Sequence, residues 1–294
     1  MGSEMCIRDS YISDDSSNPE TELVIKRLQS QYKHIYYQHN QPSFGHDGNF
    51  FATLAMPDTD YVWYMGDSIY FKQGVISEIM GILDGAIDFC FVNYRVDDTV
   101  SRHIDLVHDF LVERTWYLTL SGTTIYGRKP RALIIAEERK KEWRNFVQLG
   151  LILEYCSKNV ASMYWYGKST LALNTNKKLS YWISNVFTVF VEDWSSFIRS
   201  FNQYFSKNEI SLVIKSHAKQ TDLFSIRRLL LFRSQGGLSL IILNKHMKNY
   251  IFASPTNPVI VFAVCLLPMK IAGIILRIVM DSYKWIYSTY LHRK

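Results

Sequence analysis

The sequence predicts an α/β fold, a Rossmann-type sheet with helices on both faces, followed by an amphipathic helical region at the C-terminus. Short runs rich in Tyr, Val and Phe, closed by Gly, Asn or Asp, are typical of buried strands. Segments with apolar residues at helical spacing lie between these runs, and such alternation is typical of α/β proteins. With 294 residues and 48% apolar composition, the chain is long enough to bury a large core.

The predicted elements follow one another in a regular order. We predict strands over residues 11–13, 35–37, 60–66, 88–94 and 116–126. We predict helices over residues 20–31, 50–55, 72–84, 137–157, 180–207 and 224–233. The pattern over 180–207 is crowded with Trp and Phe, which favours packing against the sheet or a bilayer over a cofactor site.

Residues 60–71 form the run around which the first half of the chain is organised. The run is aromatic, and its apolar part stops at Gly66 and the carboxylate of Asp67. We expect a buried strand that delivers Asp67 into a crevice, because ligands of open α/β sheets bind at the carboxyl ends of the strands. The polar loop 40–49 precedes this run, and its glycines allow the backbone to come close to a ligand.

Two polar segments near the predicted strand ends have the chemistry to bind a nucleoside. Asp14, Asp15 and Ser16 follow the first strand, and their oxygens can accept hydrogen bonds from a uracil edge or from ribose hydroxyls. Asn49, at the end of the loop, can bind a base or ribose edge in the same way. Helix capping by the first segment and a plain connecting loop for the second are the structural alternatives.

The order of these segments resembles a known family. It runs from Ser13-Asp14-Asp15-Ser16-Ser17 through Asn40, Gly45 and Asn49 to Tyr61-Val-Trp-Tyr-Met-Gly-Asp67. This series is similar to the inverting glycosyltransferases of family 2 with the GT-A fold, and most of all to the bacterial branch that builds capsular and O-antigen polysaccharides. The segments Thr115-Trp116-Tyr-Leu-Thr119-Leu-Ser121-Gly122 and Lys178-Leu-Ser180-Tyr-Trp182 resemble acceptor-side segments of that branch.

The resemblance implies transfer of a sugar from a nucleotide-diphosphate donor, a UDP-sugar, to a lipid-linked glycan in bacterial surface polysaccharide synthesis. It also implies that Asp67 holds Mn²⁺ or Mg²⁺ against the donor diphosphate. The implied nucleotide-binding residues are Asp14, Asp15, Ser16, Asn40, Gly45, Asn49 and Asp67. The implied acceptor-binding residues are Trp116, Thr119, Ser121 and Gly122. Trp116 suits either a platform for a sugar ring or a place in the core.

Two positions depart from the pattern of the family. Where the family has a second metal-side carboxylate, this chain has Ile69, although Mg²⁺ can take one carboxylate together with phosphate and water. Where the family has its catalytic Asp, the chain reads Phe146-Val147-Gln148, and glutamine cannot act as a general base. The base is therefore unassigned, with Glu142 and Asp193 as candidates or as solvated helix charges. The alternative function is a catalytically impaired or inactive remnant that serves as a nucleotide-binding or assembly module.

The domain organisation is predicted from composition and from the same resemblance. The family has a strand and a helix before the first polar segment, and we expect the loss of such an inner strand to expose apolar faces. Residues 1–10 have neither an apolar core nor a helical period, and we interpret them as a non-native leader. A nucleotide-sugar-binding half over 11–132, an acceptor-side and helical region over 133–254, and a membrane-interface segment over 255–294 should follow.

The charge pattern favours a membrane surface over nucleic acid as a partner. The net charge is +6 and the pI about 9.0, but the basic residues gather only near the C-terminus, beside apolar segments. There, Lys270, Arg277 and Lys284 recur every seven residues and form a stripe on a helix. We expect this helix to bind peripherally at the cytoplasmic face of the inner membrane, with a tilted span or a core helix as alternatives. Four scattered cysteines indicate free thiols in a reducing compartment.

Overall fold

The computed structural model describes residues 9–133, 143–174 and 181–291 of the chain. The chain divides into two compact units, Met1–Lys177 and Lys178–Lys294. The first unit is mixed α/β with a central sheet flanked by helices, and the described part of the second unit is helical. The predicted α/β fold class is confirmed. The domain boundaries predicted after residues 10, 132 and 254 stay predictions.

The first unit alternates strands and helices along the chain. Its strands are β1 (Ser10–Asp14), β2 (Ile35–His39), β3 (Tyr61–Trp63), β4 (Ile69–Phe71), β5 (Phe89–Val92), β6 (Arg102–His103), β7 (Thr124–Gly127), β8 (Met163–Tyr166) and β9 (Leu171–Leu173). Its helices are α1 (Pro19–Gln31), α2 (Gly45–Ala55), α3 (Val75–Met80), α4 (Val107–Arg114), α5 (Arg128–Arg131) and α6 (Val147–Lys158). The helix α1 begins as the sequence indicates, because Asn18 accepts a hydrogen bond from the Glu20 N–H and Pro19 takes the first helical position.

The central sheet has five strands in the order β3-β7-β5-β8-β6. Strands β5 and β8 run parallel, and the other neighbours run antiparallel. All four residues of β5 are fully buried, because Phe89 and Phe91 fill one face while Cys90 and Val92 fill the other. Burial on both faces explains why the sequence of β5 is an unbroken apolar run.

The strand predicted to end at Gly66 and Asp67 corresponds to β3, whose three residues are partly buried and pair with β7 in the central sheet. The aromatic run continues into a separate strand, because β4 pairs with the distant β9 in an antiparallel sheet of two strands. The turn between β3 and β4, at residues 64–68, carries Asp67.

The strand predicted over residues 116–126 is wrong in its first part. Residues Tyr117–Thr119 form a 3₁₀ turn, and the extended backbone begins only at Thr124. The hydroxyl of Tyr117 donates to the carbonyl of Val92 and accepts from the N–H of Tyr94, which fixes this turn against the end of β5. Gly122 then adopts a φ of +92°, a left-handed conformation that interrupts any strand and that glycine adopts without steric cost.

Strands β1 and β2 form a parallel sheet of their own. Among the described residues, neither β1 nor β3 pairs with a second neighbouring strand, and both line a cavity of about 590 Å³. Trp63 and Ile79 are typical of its largely apolar and aromatic wall, which contains none of the residues predicted to bind a ligand.

The second unit consists of short and long helical segments. They are a 3₁₀ helix (Tyr181–Asn185), a π-helix (Thr188–Asp193), α7 (Trp194–Ser200), α8 (Lys207–Thr221), α9 (Ile226–Ser234), α10 (Leu240–Ala253), α11 (Pro258–Leu266) and α12 (Met269–Leu291). The single helix predicted over 180–207 is wrong, because three kinds of helix follow one another there. Its aromatic residues pack on other helices of the same unit, whereas the sequence pattern favoured packing on the sheet or a bilayer: Phe187 stacks on Tyr250 of α10, and the buried Trp194 donates to the Ile214 carbonyl of α8.

The C-terminal helices are strongly apolar. No single helix in the described part of the chain has both the length and the composition of a membrane span. Helix α11 and residues 269–280 of α12 reach that composition only together, and they are bent by 116° at the break between them.

Candidate functional site

The ends of β1 and β2 bring several of the predicted nucleotide-binding residues together. Parallel pairing places Asp14 opposite His39, so the residues that follow each strand emerge at the same edge. Asn40 then turns back, and its N–H donates to the Asp14 carbonyl at 2.9 Å. The resemblance to family 2 glycosyltransferases implies a shared site for these residues, and their role in binding a nucleotide stays a prediction.

A hydrogen-bond network joins this edge to the first turns of α2. The Ser13 hydroxyl donates to Asn49 Oδ1 at 2.5 Å, and the Asn49 amide donates to the Ser13 carbonyl at 3.2 Å. Asn40 Nδ2 donates to both Ser13 Oγ and Asn49 Oδ1, at 3.0 and 3.1 Å. Ser13, Asn40 and Asn49 therefore form one rigid polar cluster, in which Asn40 is buried.

Asp15 holds the loop that leads into α2. Its carboxylate accepts from the backbone N–H groups of Phe44 and Gly45, at 2.7 and 2.8 Å, and from the side chains of Ser43 and Asn40. Burial raises the pKa of Asp15, but these hydrogen bonds outweigh burial and leave that pKa below its usual value. Since a carboxylate has about four acceptor positions, the protein itself already satisfies Asp15.

Asp14 and Ser16 lie at the same edge but differ in exposure. Asp14 is buried and accepts from the Ser16 N–H and the Tyr37 hydroxyl, both at 2.9 Å. Burial raises the pKa of Asp14, and the bonds from Ser16 and Tyr37 more than offset it, so the pKa lies below its usual value. Ser16 itself is exposed, and it is the member of the pair that a ligand can reach from solvent.

The loop that carries Asp67 lies against the turn at residues 121–122. The Trp63 indole donates to the Gly122 carbonyl at 2.9 Å, and a Cβ built on Gly66 would lie 3.6 Å from Ser121 Cβ. The Asp67 side chain is exposed, while its carbonyl accepts from Asn174. The fold thus brings the predicted metal-side residue beside two of the predicted acceptor-side residues.

Tyr64 connects the Asp67 loop to α2. Burial, followed by the negative charges of Asp67 and Asp47, raises the pKa of Tyr64 to about 12. The Tyr64 ring also packs edge-on against Phe50 of α2, with ring centroids 4.8 Å apart. The charges of Asp47 and Asp67 therefore both act on one tyrosine, although the two residues belong to different elements.

Asp47 is a candidate residue that the sequence analysis missed. Its side chain is one-quarter exposed, and it accepts from the Asn145 N–H at 3.0 Å and contacts His46 Nδ1 at 2.9 Å. Asn145 precedes α6 with a φ of +66°, a left-handed conformation that asparagine tolerates better than most residues. The one sequence signal for this residue is an acidic side chain in the first turn of a helix. The predicted helix began at residue 50, too late for Asp47 to lie in that turn.

Ile69 does not stand where a second metal ligand would have to stand. Its side chain is only 9% exposed and packs in the core with Val75 and Ile79. It also lies close enough to Gly122 that a Cβ there would come within 3.1 Å of Ile69 Cδ1. Strand β4 thus turns the Ile69 side chain into the core, and the expectation that Ile69 replaces a second metal-side carboxylate stays a prediction.

The predicted acceptor-side residues divide into two groups. Ser121 and Gly122 lie beside the Asp67 loop, whereas Trp116 is only 6% exposed and packs on Tyr117, which is the core alternative. Thr119 donates its hydroxyl to the Trp116 carbonyl, and its own carbonyl accepts from Gln148 Nε2 at 3.2 Å. Gln148 is buried, and its Oε1 lacks a hydrogen-bond partner within the described part of the chain.

The two candidates for a base that the sequence offered stay predictions. Glu142 lies outside the described residues. Asp193 ends the π-helix of the second unit, so it belongs to the other compact unit. Of the carboxylates described above, Asp47 and Asp67 are the two whose charges act on Tyr64.

A divalent cation could find one exposed carboxylate here. Among the residues that the structure describes, no group of three His, Cys, Asp or Glu side chains could hold a metal ion. The single carboxylate of Asp67 is nevertheless compatible with Mg²⁺. This ion keeps several waters and is commonly bound by one or two carboxylates and phosphate oxygens, without a full cage of protein ligands.

The chain matches no protein-family model and no curated protein. Two crystal structures of residues 1–349 of TarS from S. aureus, one of them in complex with UDP, are similar to it with TM-scores of 0.45. Their sequences are 12% and 15% identical to this chain, and each alignment covers 82% of this chain and 79% of the TarS chain. A similarity of this size assigns no role to any residue of the present chain.

Proposed function

We propose that this chain transfers a sugar from a nucleotide-diphosphate donor, a UDP-sugar, to a glycan acceptor. The observation that carries the proposal is the position of α2. The start of this helix binds the β1–β2 edge through Asn49, and Phe50 of the same helix packs on Tyr64 of the loop that carries Asp67. Helix α2 therefore contacts both a polar edge suited to a nucleoside and, through Tyr64, the loop whose Asp67 carboxylate suits a diphosphate, as a ligand with both parts requires.

The nucleoside half of the donor would bind at the exposed part of the β1–β2 edge. Ser16 offers a hydroxyl to solvent there, and the Ser13-Asn40-Asn49 cluster supplies amide and hydroxyl groups that can exchange partners with a ligand. Asp15 would act indirectly, because three of its four hydrogen bonds fix the loop 43–45 and the fourth comes from Asn40 of the cluster.

The diphosphate would lie near Asp67, with Mg²⁺ or Mn²⁺ between them. A bound cation would neutralise the diphosphate and stabilise it as a leaving group. Asp67 would supply the protein ligand, and phosphate oxygens and water would complete the shell. The neighbouring Ser121-Gly122 turn would then face the sugar and its acceptor, which we propose to be a lipid-linked glycan of a bacterial surface polysaccharide.

An inverting transfer needs a base for the acceptor hydroxyl, and we assign this role to Asp47. The Asn145 N–H holds its carboxylate in place at the start of α6, and one-quarter of the side chain remains exposed. Asp67 is then left to the cation. Gln148 at the start of the same helix can accept a hydrogen bond from a hydroxyl but cannot remove its proton.

Calorimetric titration with UDP, with and without Mg²⁺, tests the donor site. We expect binding that is tightened by Mg²⁺, with Asp67→Asn abolishing the effect of Mg²⁺ and Asn49→Ala weakening binding about tenfold through lost hydrogen bonds. The exposed Asp97→Asn and Asn208→Ala serve as controls and should leave binding unchanged.

Folded wild-type protein that gives no heat with UDP under either condition contradicts the proposal. The rival function, a nucleotide-binding or assembly module without catalysis, is distinguished by a second measurement. A transferase should slowly release UDP from a UDP-sugar by hydrolysis, whereas a binding module should return the donor intact.

A further inference from the structure

Large apolar side chains are exposed on three consecutive helices of the second unit, α10, α11 and α12. They include Ile241, Phe252, Val259, Phe262, Leu266 and Ile278, which are 49% to 82% exposed. Monomeric soluble proteins rarely expose large contiguous apolar patches, and such patches usually mark a binding site. We refer to the exposed faces of these helices as the α10–α12 surface.

Helix α12 shows how this surface is built. Its inner side packs on α9, where Ala272 is fully buried. Its outer side carries Ile271, Ile274 and Ile278, which at three- and four-residue spacing form one exposed stripe. One side of α12 therefore packs in the core of the unit, and the other presents an apolar surface that a second apolar environment could cover.

Basic residues accompany the apolar ones on the same helix faces. Lys270 and Arg277 of α12 are exposed and lie along the edge of the isoleucine stripe. On α10, Lys245 and Lys248 share the face of Ile241 and Phe252 at helical spacing. Long basic side chains can lay their methylenes on apolar surface while their charges reach a polar layer, as they do at membrane interfaces.

The charge of the second unit has the sign needed for an anionic surface. Residues 178–294 contain 15 Lys and Arg against 5 Asp and Glu, a net charge of +10. A protein partner fits this surface less well, because lysine is depleted in the buried centre of protein interfaces. A bilayer with anionic lipids provides both an apolar layer and a negatively charged one.

The geometry of α11 and α12 indicates binding at the interface and not a crossing. Helix α11 has nine residues and is roughly 13–14 Å long, about half of the ~30 Å hydrocarbon layer. The 116° bend before α12 prevents the two from acting as one straight span. We propose that the α10–α12 surface docks on an anionic lipid bilayer, with its apolar side chains in the boundary layer and its Lys and Arg at the lipid phosphates.

Sedimentation of the full chain with vesicles tests this surface. We expect binding to vesicles of phosphatidylcholine with about one-third phosphatidylglycerol at low salt, and weaker binding to phosphatidylcholine alone. High salt should release only part of the protein. Salt shortens the screening length from roughly 8–10 Å at physiological ionic strength and so weakens the charge attraction, but it leaves the apolar contacts in place.

Paired substitutions separate the two contributions. Lys270→Gln with Arg277→Gln should weaken binding to anionic vesicles about 25-fold, and Ile274→Asn with Ile278→Asn at least tenfold. The matched controls lie on α8 of the same unit and are equally exposed: Lys215→Gln with Lys219→Gln, and Leu212→Asn. We expect less than a threefold effect from either control.

Three outcomes would overturn the proposal. Wild-type protein could stay in the supernatant with anionic vesicles at low salt. The α8 controls could weaken binding as much as the α12 variants do, which would indicate attraction by net charge alone. Sedimentation velocity could show a dimer that Ile278→Asn dissociates, with no vesicle binding, which would make this surface a contact between two copies. None of these outcomes bears on UDP binding, so the site in the first unit is tested separately.

Discussion

The two compact units of this chain have opposite charge and expose different chemistry. Residues 1–177 contain 18 Lys and Arg against 22 Asp and Glu, a net charge of −4, whereas residues 178–294 carry +10. The first unit gathers hydrogen-bonded polar residues at the ends of strands. The second unit exposes apolar side chains next to lysines and arginines.

The overall charge of +6 conceals this division. A moderately basic protein could have been interpreted as uniformly attractive to anions, but the unit with the proposed donor site is acidic. Its charge repels a nucleotide diphosphate, so we expect donor binding to depend on a cation and not on the net charge of the chain. Attraction to anionic surfaces belongs to the other unit.

The largest expected contrast between the units is in the free energy of unfolding, when the same substitution, Ile to Asp, is made once in each unit. Ile69→Asp buries a carboxylate in the core of the first unit and should lower the free energy of unfolding by about 3–5 kcal/mol. Ile274→Asp places the same carboxylate on the exposed side of α12 and should change it by less than ~0.5 kcal/mol. Urea unfolding of both variants measures the difference. Equal losses would mean that Ile274 is part of a core and that the contrast in exposure is wrong.

The next effect concerns catalysis in the first unit. Asp47→Asn removes the proposed base and should lower kcat about 10²- to 10⁴-fold, while UDP affinity changes less than twofold. Asp97→Asn provides an exposed carboxylate of the same unit as control. Steady-state kinetics with a UDP-sugar, together with UDP titration, separate the two effects. A parallel loss of kcat and UDP affinity would show that Asp47 holds the site together and is not its base.

The smallest effect is on acid stability. Hydrogen bonds hold the pKa values of Asp14 and Asp15 below their usual values, so the stabilisation is complete above about pH 4 and is lost as the pH falls through the lowered values. Asp15→Asn should therefore lose less stability than wild type between pH 7 and pH 3. Urea unfolding at both pH values tests this expectation, and an unchanged pH dependence in Asp15→Asn contradicts it.

Local sequence patterns were sufficient to predict an element wherever its own residues determine its secondary structure. The helix at 20–31 was predicted because Asn18 and Pro19 mark its start, and β5 because it is an unbroken apolar run buried on both faces. The helix at 224–233 was found within two residues at its N-terminus and one at its C-terminus. In each case, capping or periodicity reports the structure without any distant contact.

Non-local contacts account for the elements that the sequence could not reveal. Ile69 looks like a residue of the Asp67 strand, yet its partner is Leu173, and that pairing decides that the side chain faces the core. Asp47 was missed because α2 begins at Gly45, where Asp15, 30 residues earlier, accepts from its N–H. Sequence order therefore found the polar edge of β1 and β2 but not the acidic pair beside Tyr64.

The cavity between β1 and β3 also bears on how the protein behaves at high concentration. Each of these strands has an edge without a strand neighbour in the described structure, and an edge of this kind accepts an extended segment from another molecule. The sequences Ser-Tyr-Ile-Ser-Asp and Tyr-Val-Trp contain no lysine or proline that would discourage such an addition. An intruding segment could form ladder hydrogen bonds with two strands at once. Fibril growth on storage should therefore begin at this opening, and a short β-rich peptide that fills it should delay that growth.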